Sequence, residues 1–127
     1  MEDILYLAKQ KLSVEDIMAA AQEANYPCEI GRTAADVASS AIRVIPFKGT
    51  YWDFCDYAAT PDFKCFEEDD LKTIEAYAPA SIFLITHSYV TRPALIKFVK
   101  KLIDRKGGGI VTDGDLMRID ELSGIDG

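Results

Sequence analysis

"SIFLITHSYVTRPALIKFVKKLIDRKGGGIVTDGD", Ser81 to Asp115, is the stretch whose reading decides the fold. Ser81 to His87 is a continuous apolar run of strand length, the pattern of a central strand. After "SYVT" the period changes. Leu95, Ile96, Phe98, Val99, Leu102 and Ile103 recur at i, i+3, i+4 and i+7, while Lys97, Lys100, Lys101 and Arg105 take the other face. That spacing predicts an amphipathic helix, with Pro93 in its first turn, where a missing N–H costs nothing. Gly107 falls just past the last periodic residue, and Arg105 and Lys106 sit where cations complement the helix dipole. "GIVT" and "DLMRI" then flank Asp113-Gly114, a dipeptide suited to a two-residue hairpin turn. The three glycines therefore read as punctuation. A phosphate cradle needs glycines ahead of a helix N-terminus, and these follow a C-terminus. Asp113 and Asp115 lack a third carboxylate or histidine nearby in sequence, so turn chemistry accounts for them better than a hard cation does.

Working outward from this unit, Glu68 to Tyr77 reads as a helix with Leu71, Ile74, Tyr77 and Ala78 on one side, acids at its start and Pro79 as its stop. "YWDFCDY" and "FKCF" are extended candidates. Ala41 to Phe47 is rich in β-branched residues and predicts a strand, with Pro46 at an edge or a strand end. "TAADVASSA" reads as a weak helix and Cys28 to Ile30 as a short extended piece. Ser13 is suited to cap a helix, with Asp16 in capping-box position and Val14, Ile17, Met18, Ala21 and Ala24 as the buried stripe ended by Tyr26-Pro27. Ile4, Leu5, Ala8 and Leu12 fall at helical spacing and predict a first short helix. The sum is a single α+β domain over residues 1–127, with a small mixed or antiparallel sheet, helices packed on one of its faces, a C-terminal strand-helix-hairpin and a frayed tail over 121–127.

The chain has 127 residues, 49% apolar and 28% charged, which suits one globular domain. Its net charge of −7 is unevenly spread. Residues 1–91 hold 15 acids against 7 bases, residues 92–106 hold 1 against 6, and residues 107–127 hold 5 against 1. An acidic molecule with one basic helix repels nucleic acid and anionic membranes and suits a basic protein partner. The first residues carry acids where a secretory signal carries bases, and no apolar run approaches the roughly 20 residues of a membrane span, so a cytoplasmic protein is expected. Cys28, Cys55 and Cys65 show neither disulfide-framework nor zinc spacing. No cofactor, metal site or catalytic group is expected.

His87 is the one histidine, and a Cys55, His87 and Asp113 triple defines the enzyme alternative. Nothing local in sequence assembles it, and a hydrogen-bonded histidine at the sheet margin is the simpler reading. The lysine face of the long helix reads as solvated. Tyr51 to Asp70, "YWDFCDYAATPDFKCFEEDD", holds six of the 13 aromatic residues with seven acids and one lysine. Aromatic anchors among polar residues are the composition of a binding hot spot. Tyr51, Trp52, Asp53, Asp56, Tyr57, Glu67, Glu68, Asp69 and Asp70 are accordingly the candidate partner-binding residues. The competing reading puts the aromatics in the core and leaves the acids solvated.

The C-terminal pattern "SIFLITHS", "RPALIKFVKKLIDRKG" and "GGIVTDG", Pro79 to Gly114, resembles small immunity proteins of bacterial polymorphic-toxin systems. Gly108, Gly109, Val111 and Asp113 fit that pattern, and Ile110 stands where those proteins usually carry an aromatic residue. The resemblance implies a fold without an active site that binds a cognate toxin domain and blocks it. An acidic surface would suit a nuclease-like toxin with a basic cleft. The remaining alternative is an accessory or regulatory binding module.

Overall fold

The computed structural model describes residues 2–30, 41–56, 68–112 and 115–117. Its elements are β1 (Glu2–Ala8), α1 (Val14–Glu23), β2 (Cys28–Ile30), β3 (Ala41–Val44), β4 (Trp52–Asp56), α2 (Glu68–Tyr77), β5 (Ser81–His87), a 3-10 turn (Tyr89–Thr91), α3 (Arg92–Lys106), β6 (Gly109–Thr112) and β7 (Asp115–Met117). The strands form one sheet in the order β2-β3-β4-β5-β1-β6-β7, every pair antiparallel. This is an α+β domain, and β5, the strand read first in the sequence, lies at the centre of its sheet.

The first helix expected from the sequence is instead β1. Ile4, Tyr6 and Ala8 join the larger core with α1 and α3, whereas Leu5 and Leu7 join Ile74, Ile82 and Val111 in a second core beneath α2. A strand buried on both faces has no polar side, so its period of two vanishes into an unbroken run. Ile4, Leu5 and Ala8 fit a helix equally well by spacing. The same two cores correct the expected packing on one face: α1 and α3 cover one side of the sheet and α2 the other.

The remaining elements follow local chemistry. Ser13 and Asp16 form the capping box, Ser13 N–H donating to Asp16 Oδ2 (2.9 Å) and Asp16 N–H to Ser13 Oγ (3.2 Å). α1 ends at Glu23, before Pro27, because Asn25 turns left-handed at φ 62°. β3 stops at Val44, so Pro46 marks a strand end and not a sheet edge. Gly107 closes α3 at φ 71°, and the Tyr6 hydroxyl donates to its carbonyl (3.0 Å), tying the helix end to β1. A Cβ on Gly108 would lie 1.8 Å from the Leu7 carbonyl oxygen, so only glycine lets β6 approach β1 there. β6 and β7 pair up to Thr112 opposite Asp115, the expected hairpin. "TAADVASSA", "FKCF" and the tail over 121–127 lie outside the described residues.

Candidate functional site

β4 divides the sequence's candidate residues between two environments. Trp52 and Phe54 point into the core under α1 and α3, and the half-buried Asp56 lies on that same face by alternation. Trp52 is fully buried and donates its indole N–H to Thr91 Oγ1 at 3.0 Å, so it is a core residue and not a surface anchor. Asp53 and Tyr51 alternate to the opposite face. There the Arg43 guanidinium grips Asp53 in a fork, Nε to Oδ1 at 2.8 Å and Nη2 to Oδ2 at 3.1 Å, and lies 3.9 Å over the Tyr51 ring. The Asp53 carboxylate holds the Arg43 pKa above its ordinary value. Sequence spacing alone does not find Arg43, because it meets Asp53 only through strand register.

That register continues across five strands. Glu29 pairs with Arg43, Arg43 with Asp53, Asp53 with Thr86 and Thr86 with Asp3, giving one polar row on the α2 side of the sheet. Thr86 Oγ1 donates to Asp3 Oδ1 at 2.7 Å. Glu29 and Asp3 are exposed, and Arg43, Tyr51 and Thr86 are half-buried. The row carries three carboxylates against one guanidinium. On α2, Glu68 and Asp69 are exposed and Asp70 is half-buried. Tyr57 and Glu67 lie outside the described residues.

A second surface, on the α1 and α3 side, was not singled out by the sequence reading. Phe47 is 49% exposed, Tyr89 67% and Val90 82%. Phe47, Val90 and Pro93 join Tyr26, Ala94 and Phe98 in lining a groove of about 530 Å³ between the end of α1, the Phe47 turn and the start of α3. Lys97 and Lys101, both exposed, form its charged side. A smaller hollow of about 260 Å³ against Tyr89 and Arg92 adjoins it across Val90 and Pro93. Trp52 supports this groove from beneath, its ring centroid 5.8 Å from Tyr26 and 5.6 Å from Phe98. Thr91 accepts the indole N–H and donates to Ser88 O at 2.8 Å, which fixes the turn that holds Tyr89 and Val90 outward. Thr50 pins the other wall, its backbone N–H and hydroxyl both donating to Phe47 O. The available sequence signal was Tyr89 and Val90 in "SYVT", outside the helical period, and Phe47 at the very end of the predicted strand.

Of the Cys55, His87 and Asp113 triple, Cys55 and His87 are not brought together. Cys55 pairs with Leu84 on the α2 face, whereas His87 shares the opposite face with Phe83 and Ile85. Burial pushes the Cys55 thiol pKa up, reinforced by the Asp56 and Asp53 carboxylates, the reverse of what a thiolate nucleophile requires. Asp113 lies outside the described residues. Among the described residues no group of three or more His, Cys, Asp or Glu is placed to hold a metal ion. No helix among them is long and apolar enough to cross a membrane. Compared with protein-family models, curated proteins and solved structures, the chain matches none.

Proposed function

We propose that this is a cytoplasmic binding protein of the immunity type, which captures a cognate bacterial toxin domain and holds it inactive without chemistry of its own. The observation that carries the reading is the Tyr51, Arg43 and Asp53 cluster at the centre of the polar row. Tyrosine and arginine are the residues most often responsible for tight protein contacts, and here both are held in place before any partner arrives. Strand register fixes the backbone, and the Asp53 fork fixes the guanidinium. Little side-chain entropy is then left to lose on association. Glu29 and Asp3 at the ends of the row, with Glu68 and Asp69 on α2, supply negative potential that would steer a basic cleft toward it.

The partner-facing set is thus Tyr51, Arg43, Glu29 and Asp3, with Trp52 removed to the core and Glu68 to Asp70 adding acidic charge from α2 on the same side of the sheet. The test is co-expression with the C-terminal domain of the protein encoded by the neighbouring gene. Growth protection and a stable complex are expected. Charge reversal by Glu29→Lys with Asp3→Lys should slow association about tenfold or more at low salt, with the difference shrinking as salt rises. No complex and no protection from the wild-type chain would overturn the reading.

A further inference from the structure

We propose that the groove between the end of α1, the Phe47 turn and the start of α3 is a docking site for an acidic peptide segment of another protein. The segment would seat an apolar side chain between Phe47 and Val90 and set carboxylates against Lys97 and Lys101. Three features of the groove lead to this occupant. Two apolar residues of its walls are unusually exposed for side chains of this size, Val90 at 82% and Phe47 at 49%. Its volume of about 530 Å³ lies within the range of ordinary ligand clefts and has room for a large side chain and adjoining backbone. Among the described residues its lining holds two lysines and no acid, although the chain as a whole carries −7. Lys97 and Lys101 stand one helical turn apart on the same face, so both reach one bound segment.

The charge also decides against other occupants. A symmetric pair of these grooves would oppose lysines to lysines, and an anionic bilayer would have to enter a concave site on a molecule it repels overall. The groove lies on the opposite side of the sheet from the Arg43 row and shares no residue with it, so this inference does not depend on toxin capture.

Trp52 is the single tryptophan, and two residues lining the groove pack against it, so its emission reports occupancy directly. The full chain is titrated with a short synthetic peptide carrying leucine and phenylalanine among glutamates, and with the same peptide bearing lysines for glutamates. Backbone amide shifts of Val90, Ala94 and Lys97 are followed in parallel. The acidic peptide should saturate both signals and bind about tenfold more tightly than the basic one. Lys97→Glu with Lys101→Glu should reverse that order, and Val90→Ser, at an exposed position, should weaken both peptides without unfolding the chain. Absence of saturable binding by the acidic peptide, equal binding of the two, or a preference unchanged by charge reversal would overturn the proposal. Tighter binding to phosphatidylglycerol vesicles than to the acidic peptide would overturn it as well.

Discussion

Tyr51 and Trp52 are neighbours in the chain and end on opposite sides of the sheet. Tyr51 lies under the Arg43 guanidinium on a polar face, whereas Trp52 is buried against Tyr26 and Phe98 and holds up the apolar groove from within. The polar face presents charge fixed by strand register and no large exposed apolar side chain on its row. The groove presents Phe47 and Val90, and the hollow beside it Tyr89, displayed by turns rather than by regular elements. The contrast separates two ways of making a surface selective. One arranges ions on a rigid lattice, and the other exposes apolar area on loops that a buried indole keeps in place.

Removing that indole is the strongest way to break the contrast. Trp52→Ala should cost about 3–5 kcal/mol in urea unfolding, as for other large core truncations. If it leaves a folded chain, the groove side should loosen first, seen as faster amide exchange at Tyr89 to Ala94, while exchange at Arg43 and Asp53 stays slow. Equal loosening on both faces would mean that the two regions are one cooperative unit. Trp52→Phe keeps most of the volume and loses the hydrogen bond to Thr91, so a loss of about 1–2 kcal/mol is expected, with the same asymmetry.

The polar side is broken at Arg43. Arg43→Ala leaves the Asp53 carboxylate, whose side chain is 6% exposed, without the fork that now holds it. About 1–3 kcal/mol should be lost, less than for a fully buried pair because Arg43 itself is 27% exposed. Arg43→Lys should recover only part of this, since an ammonium cannot grip both carboxylate oxygens and cover the Tyr51 ring at once. A full recovery with lysine would show that charge alone, and not the planar fork, organises the row.

These regions also show why some of the molecule was readable before its structure and some was not. Glu68 to Tyr77 and the α3 helix were legible because each is long enough for its helical period to be seen and ends in its own stop signal, and Ser81 to His87 was legible as an unbroken apolar run of strand length. β1 was misread because residues such as Ile4, Tyr6, Leu5 and Leu7 face two cores at once, which erases alternation. Tyr51 and Asp53 were legible as candidates from composition. Arg43 was not, since only register brings it from β3 onto Asp53. The groove was least legible of all, because three separate segments build it: Ala24 and Tyr26 after α1, Phe47 in its turn, and Val90, Pro93, Ala94 and Phe98 at the start of α3 are brought together only by the fold.

A locus outside both regions supplies the smallest perturbation and the control for the others. At the start of α1, the hydrogen bond from the Ser13 backbone N–H is the main cause holding the Asp16 pKa below its ordinary value, with the Ser13 hydroxyl and Lys106 contributing in the same direction. A carboxylate whose folded pKa is depressed adds stability that is complete above its unfolded value of about 3.9 and is lost as pH falls through the folded value. Asp16→Asn should therefore flatten the acid limb of the stability profile below about pH 4. Ser13→Ala should cost about 1 kcal/mol at neutral pH, the usual worth of a cap. Neither change should alter amide exchange at the Arg43 row or peptide binding at the Val90 groove. A shift at either place would show that α1 transmits its end state through the sheet, and the distinction drawn between Tyr51 and Trp52 would then belong to the whole domain and not to the two faces of β4.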